Sequence, residues 1–379
     1  MILGIETSCD ECSAAVVEFE PNQAVNVLSV ATFSQIEIHQ PYGGVVPEIA
    51  SRNHLETVNQ MIDRALSEAN VAAEDLEAIA VTNRPGLVGA LLVGVSAAKA
   101  MAYALNKPLI PVHHLEGHAA SLFLSDQPGS REEVNFPLLL AIVSGGHTNL
   151  YKVDSPPESW PVNFLQESLV GRSRDDAAGE AFDKIAKTLG FPYPGGIWID
   201  RAAQKGNPKA FPLPRALPQK ATLDFSFSGL KTAVSLLVER LKKEGTLEES
   251  ISDVCASAQE AIVDALMTKI FLGIKEFRCK SLAIVGGVAA NSRLRSRLET
   301  EWKSAGLSQP PIFPNLKYCT DNAAMIAAAG AFRWSQGNFL RPHEFLTLNA
   351  IANPGASEIS RTGSSARKIS SQKLPLEKA

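Results

Sequence analysis

Three of the chain's seven histidines fall in one hexapeptide, "HHLEGH", residues 113–118. On a helix, His114 and His118 stand four apart and project from one face, where two imidazoles can grip a single cation. In the helical H-E-x-x-H of zinc proteases, a glutamate directly after the first histidine acts as general base. Leu115 holds that position here. Glu116 lies about 200° around the helix from His114 and points away. The spacing supports a metal pair and removes the decisive residue of a protease. Far along the chain, Asp321 stands just before an Ala-rich helical run. Alone it reads as an N-cap. Joined to His114 and His118, it completes a two-histidine, one-carboxylate set with open positions, which suits Fe(II) and admits zinc.

Three small-residue turns follow apolar strands: "SGGHT" at 144–148, "YPGG" at 193–196 and "IVGGVAAN" at 284–291. Glycine lets a backbone approach a ligand closely, and exposed N–H groups in such turns attract phosphate. There is no G-x-x-x-x-G-K-[ST], and no complete G-x-G-x-x-G follows the first strand, so P-loop and Rossmann readings fail. Three glycine turns instead favour a nucleotide cleft between two lobes. Beside them, Asp175, Asp176, Glu180 and Asp183 precede or open a helix. Asp183 could accept hydrogen bonds from a ligand, whereas Asp175 and Glu180 read better as helix caps. Asp10 and Glu11, in the first polar turn, are candidates for proton removal, with a solvated turn as the alternative. Arg293, Arg295 and Arg297 open a helix beside the third glycine turn. They could pair with nucleic-acid phosphates or form a solvated face.

The elements that must position these residues alternate between strand and helix. "ILGI" and "SAAVVEF" flank the turn "ETSCDE"; past the middle, "LLLAIV" (138–143) and "NLYKV" flank "SGGHT". Each half thus opens with a hairpin. Further strands are expected at 76–82 and from 281, and helices over 54–69 and 257–277. The pattern predicts α/β architecture with parallel pairing. The run 86–105 has one charge, Lys99, in 20 residues; its glycines, alanines and preceding Pro-Gly turn predict a helix buried between layers, not a membrane span. The expected division is an N-terminal lobe over 1–115 and a C-terminal lobe over 116–325. An insertion near 200–225, a helix over 321–345 returning to the first lobe, and a disordered Ser-rich tail over 354–379 complete it.

With 379 residues, 45% hydrophobic and 20% charged, the chain suits a soluble two-lobed protein. Its net charge of −4 advertises no global nucleic-acid field, so any such partner needs a local patch or a helper subunit. Five scattered cysteines form no disulfide framework and point to a reducing compartment. The Cys9-x-x-Cys12 pair has no second half and reads as two small residues in a turn. The start "MILGIETSCDE" has no basic segment and turns acidic at once, so a signal peptide is not expected and the cytoplasm is.

The motifs "GIETSCDE", "YGGVVPEIASRNH", "PGLVGALLVG", "HHLEGH", "IVSGGHTNL", "DDAAGEAFDK", "YPGG", "DFSFSGLKT", "VGGVAAN" and "TDNAAMIA" occur in that order. Together, over roughly residues 1–340, they resemble the TsaD family, also called YgjD or Gcp. The resemblance implies a two-lobed fold of the actin, Hsp70 and sugar-kinase superfamily, with duplicated mixed sheets flanked by helices. It implies transfer of threonylcarbamoyl from threonylcarbamoyl-AMP to N6 of the adenosine 3′ of the anticodon, in tRNAs reading codons that start with A. It further implies His114, His118 and Asp321 as ligands of one Fe(II) per subunit, with zinc as the alternative. Ile142, Val143, Ser144, Gly145 and Gly146 match the family's substrate-binding turn, and Asp183, Gly196 and Asn291 match further substrate contacts. Implied partners are tRNA, TsaB-like and TsaE-like proteins and the enzyme that makes the adenylate; no membrane is implied. "NRPG", with Asn83 and Arg84, departs from the family's usual T-A-G-P-G. The rival readings are an ATP-dependent small-molecule kinase on the same fold, which would not need the histidines, and an ATPase regulator.

Overall fold

The computed structural model describes residues 1–129, 133–217 and 222–352. The predicted tail and residues 218–221 of the predicted insertion lie outside the described residues.

Two mixed sheets carry the duplication. The first has the order β5-β4-β1-β2-β3-β6 and is built from β1 Ile2–Glu6, β2 Glu11–Glu18, β3 Val25–Ser34, β4 Ala78–Arg84, β5 Leu109–His113 and β6 Leu124–Ser125. The second has the order β10-β7-β8-β9, from β7 Leu138–Val143, β8 Thr148–Val153, β9 Leu169–Arg172 and β10 Ser281–Val285. In each, an antiparallel meander (β1–β2–β3, then β7–β8–β9) gains parallel strands on the far side of its first strand. The helices are α1 Ile36–His39, α2 Pro47–Ala69, α3 Val88–Leu105, α4 His114–Ala120, α5 Phe164–Glu167 and α6 Ala178–Thr188. They continue with α7 Gly195–Ala203, α8 Ser228–Glu244, α9 Leu247–Phe277, α10 Ser292–Glu301 and α11 Ala323–Ser335.

Strand alternation assigns each face to a layer. Leu3 and Ile5 share a core with Val58, Met61, Val95 and Ala98 of α2 and α3. Ile2 shares a different core with α11, and Gly4 faces the same helix: a methyl there would collide with the Ala323 carbonyl and sit 2.7 Å from the Ala327 nitrogen. In the second sheet, Leu139, Ala141 and Val143 pack on α6, α8 and α9, whereas Leu138, Leu140 and Ile142 join Ile2 and α11 in the central core. The layers therefore run helices, sheet, α4 with α11, sheet, helices. α11 is buried along its first eleven residues because alanine and glycine let it sit between two sheets.

The run 86–105 does form a helix, α3, but it is buried on one face only. Ala90, Leu91, Gly94, Ala98 and Ala102 lie inward, while Val88, Leu92 and Tyr103 are exposed. Among the described residues it is the one helix long and apolar enough to cross a membrane. Its small residues serve close approach instead; a methyl on Gly94 would strike Thr7 Oγ1. Cys12 lies in β2 rather than in the turn, and all five cysteines are free thiols.

Candidate metal centre

β5 ends at His113 and α4 begins at His114, so strand pairing places the first candidate ligand at the carboxyl end of the first sheet. One helical turn on, His118 has its ring centroid 4.7 Å from that of His114. Asp321 arrives from the other end of the chain on the segment leading into α11. Asn322, not Asp321, caps that helix: its side chain accepts from the Met325 amide at 3.0 Å. The Asp321 carboxylate is thereby left to the histidines. Its Oδ1 lies 3.5 Å from His114 Nε2 and 3.2 Å from His118 Nε2, and the three ligand atoms fall within 4.8 Å of one another.

Two observations show that this set fits a cation. His118 is fully buried, yet neither of its ring nitrogens makes a hydrogen bond; Nε2 faces Asp321 outside hydrogen-bonding alignment. A buried ring with two idle nitrogens lacks a partner that a metal would supply. His114 is held from behind. Its Nδ1 lies 3.0 Å from Glu6 Oε2 and 3.2 Å from Ser8 Oγ, and Glu6 in turn accepts from Thr82 Oγ1 at 2.7 Å. A carboxylate on the far nitrogen of a histidine ligand fixes its tautomer and orientation. Burial alone would lower the pKa of His114, but the Asp321 and Glu6 carboxylates outweigh it and hold the ring well above its ordinary value. Burial would raise Asp321, but His114 and His118 hold it well below the usual carboxylate range. Burial, together with the same two rings, pushes His147 down to about 4. The Glu6 and Asp321 carboxylates thus gather positive charge at the His114 ring, the place a cation would take between the two rings and Asp321.

Glu116 does point away from this centre. It is buried on the other side of α4 in a two-point pair with Arg333, at 2.7 and 2.5 Å. α4 is thereby clamped to α11, the helix that Asp321 leads into.

The glycine turns converge on one end of the second sheet. β7 and β10 are parallel neighbours, so the turns after Val143 and Val285 leave the sheet side by side. Gly286, at φ +90°, lies so close that a Cβ would sit 2.6 Å from the Val143 carbonyl oxygen. Ile142 and Val143 are buried strand residues, Ser144 is buried, and Gly145 and Gly146 are exposed. The start of α6 abuts this turn, its Gly179 amide donating to the Ser144 carbonyl at 3.2 Å. Asp183, on α6, accepts from the Gly195 amide at 2.7 Å and so ties α6 to the "YPGG" turn beside Gly196. Burial raises its pKa, against the hydrogen bonds from Gly195 and Gly196. Asn291 caps α10, and its amide donates to Gln259 at 2.8 Å. Asp10 meets the opposite lobe through the Tyr193 hydroxyl at 3.2 Å. Glu11 instead turns back to Ser34 at 2.9 Å; its second oxygen is buried without a partner, and burial pushes the carboxyl up to about 8.

Two functional candidates were not visible in the spacing of chemical residues. Glu6 ends β1 and acts only through the tertiary contact with His114. Asp200 accepts from the Ser292 amide and hydroxyl at 3.2 and 2.7 Å, joining α7 to α10 next to Asn291. Its signal was position: it lies four residues after Gly196, on the same face of α7. As expected for capping groups, Asp175 accepts from the Phe227 and Ser228 amides at the start of α8, and Glu180 from the Ala177 amide. The three arginines of α10 are not free for phosphate. Arg293 and Arg297 pair with Glu260, Arg297 also with Asp264 and Glu301, and Arg295 bonds the Ala289 carbonyl and covers the Phe313 ring.

A family model described as "TsaD: tRNA N6-adenosine threonylcarbamoyltransferase" matches residues 26–328. Among curated proteins, a tRNA N6-adenosine threonylcarbamoyltransferase of Anaeromyxobacter dehalogenans is 49% identical over 345 residues, covering 90% of this chain and 96% of that one. The protein of the same name from Bacillus cereus is 48% identical over 359 residues, covering 94% and 96%. Among solved structures, the activator of 2-hydroxyisocaproyl-CoA dehydratase from Clostridium difficile, with bound ADPNP, superposes with a TM-score of 0.51 at 12% identity, covering 89% of this chain and 96% of that one. That likeness shows the fold alone, the two-lobed fold of the actin and Hsp70 type.

Proposed function

The chain belongs to the tRNA N6-adenosine threonylcarbamoyltransferase family, a family of tRNA-modifying transferases, and from that premise we propose its reaction in detail. The donor is threonylcarbamoyl-AMP, and the acceptor is N6 of the adenosine 3′ of the anticodon in tRNAs reading codons that start with A. The observation that carries the reading is the His114, His118 and Asp321 cluster, set at the junction of the two sheets beside the glycine turns.

The exocyclic amine is a weak nucleophile because its lone pair is delocalised into the ring. The mixed anhydride offsets this with a good leaving group. A C–N bond forms at the carbamoyl carbon, the C–O bond to phosphate breaks, AMP leaves with the electron pair, and one N6 proton is given up. The protein's task is alignment and charge stabilisation. The exposed Gly145–Gly146 turn, at the start of α6, would bind phosphate through backbone N–H groups. Asp183, the Gly196 turn and Asn291, joined by Asp200, would hold the nucleoside. Asp10, or Glu11 with its raised pKa, would take the proton. His114, His118 and Asp321 would hold one Fe(II) per subunit, with zinc as the alternative, and the bound ion supplies Lewis-acid polarisation of donor oxygens.

A partner set of TsaB-like and TsaE-like proteins accords with the exposed apolar residues Leu55, Val88 and Leu92 on α2 and α3. Cytoplasmic residence accords with five free cysteines. The test is transfer of labelled threonylcarbamoyl from its AMP adduct to unmodified tRNA. The wild-type chain with its partners should transfer label, and Asp321→Ala should lose at least about 100-fold in rate, the scale of losing a charge-stabilising group. Normal transfer by Asp321→Ala would remove the cluster from the reaction.

A further inference from the structure

α7 has two faces. Gly196 and Asp200, four apart, face the cleft side, where Asp200 holds Ser292. About 200° away by helical period from Gly196 stands Trp198, whose indole is 37% exposed although tryptophan is costly to leave in water. It stacks in offset on Phe191, with centroids 6.5 Å apart and planes 9° from parallel. The Arg201 guanidinium, one turn on, lies 5.7 Å from the indole centroid. Ile197, 53% exposed, extends the same surface. The ring is thus braced by Phe191, carries the Arg201 guanidinium over it, and is otherwise part-exposed.

Arg201 puts a cation on the same face of α7 as Trp198, opposite the face that carries Asp200. Among the described residues, no carboxylate pairs with Arg201, Lys205 or Lys187. Lys187, on α6, reaches the rim of the other lobe, its Nζ 3.0 Å from where a Cβ on Gly43 would stand. A part-exposed indole carrying a guanidinium that has no carboxylate partner is the chemistry that receives an unstacked nucleobase and its phosphate, since bases stack on arginine planes as well as on aromatic rings. It also supplies the local positive patch that a chain of net charge −4 lacks overall and that the paired arginines of α10 do not provide.

We infer that Trp198 and Arg201 form a stacking platform for an unpaired base of the RNA loop next to the acceptor adenosine. The inference rests on the tRNA-modifying reading. In its favour, α7 begins at the "YPGG" turn, so the platform stands on the helix that opens at the proposed nucleoside site, on its other face, where RNA flanking the acceptor adenosine would run. Trp198 acts as a positioning residue for the RNA and has no part in donor binding.

The experiment uses the full chain with its partner proteins and measures two things. The first is KM for tRNA and, separately, for threonylcarbamoyl-AMP. The second is direct binding of an anticodon stem-loop RNA at two salt concentrations. Trp198→Ala should raise KM for tRNA and weaken hairpin binding by about tenfold, the effect of losing one base stack. KM for the adenylate should stay within about twofold. Trp198→Phe, which keeps a ring, should recover most of the loss, and Arg201→Gln should weaken binding mainly at low salt. A Trp198→Ala protein that melts like wild type and binds the hairpin within twofold of it overturns the platform. If the wild-type chain bound the hairpin in a Trp198-dependent way but transferred no label, the platform would stand and the transferase reading would fall.

Discussion

Glu11 illustrates how a single carboxyl is tuned by its place. One oxygen is bonded to Ser34, the other is buried unpartnered, and burial lifts the group from its ordinary 4.5 to about 8. The folded state therefore prefers the protonated form. Its favourable contribution is whole below pH 4.5 and is lost as pH rises through about 8. Glu11→Gln should match wild-type stability below pH 4.5 and exceed it by about 2 kcal/mol above pH 8, less than the full shift implies because the side chain is partly exposed. Urea unfolding at the two pH values checks this; equal stability at both would contradict it. Glu116 shows the opposite solution, a buried charge matched in a two-point pair by Arg333. At this scale the sequence was informative wherever chemistry follows from short spacing. His114 and His118 are a helical pair, and Asp321 is the carboxylate that the fold brings to them. Glu6 was illegible because it is one acid ending one strand, and nothing local ties it to a histidine 108 residues away.

Elements meet here by closeness of backbone more than by bulk. α11 lies against β1 through Gly4, and Gly330 faces Ala80 in the same way. Gly4→Ala would press a methyl into the Ala323 carbonyl and the Ala327 nitrogen, backbone atoms that have no rotamer to yield. We expect a loss of about 2–3 kcal/mol by chemical denaturation. The variant should also bind metal more weakly, because the displaced helix start carries Asp321. Stability within 0.5 kcal/mol of wild type, roughly the scale of a neutral surface change, would contradict the packing account. The paired hairpins, β4, β10 and the helices around 54–69 and 257–277 were legible from hydrophobic period. β3 was not, because "VNVLSVATFS" mixes serine and threonine into a strand whose faces are only partly covered. The end of β4 at "NRPG" departs from the family pattern, and its side chains take a structural part: Asn83 bonds the Asn349 carbonyl, and its own carbonyl accepts from Ile351. α3 was legible as a helix but not in its burial. An apolar composition says that a helix can be covered, and only the surrounding layers say on how many sides.

At the scale of the whole molecule, one core is common to both sheets. Ile2, Ala80 and Val112 of the first meet Leu140, Ile142 and Val285 of the second around α4 and α11. α4, which bears the histidines, and α11, which Asp321 leads into, lie in that shared layer, so the cluster is positioned by the union of the sheets and by neither alone. The cleft turns leave the second sheet at its β7 and β10 ends, the histidines leave the first at its β5 end, and the duplication makes these ends face each other. This convergence was expected from a strand-and-turn pattern that occurs twice; the pairing of Asp10 with Tyr193 across the lobes was not, since only the closed fold brings them together. The account's central claim is that this convergent site makes threonylcarbamoyladenosine in tRNA. The most direct measurement is mass spectrometry of tRNA nucleosides from cells depleted of the protein and then supplied with either wild type or Asp321→Ala. The account predicts that the modified nucleoside falls on depletion, returns with wild type and stays absent with Asp321→Ala. An unchanged level after depletion, in cells with no second copy of the gene, would contradict it.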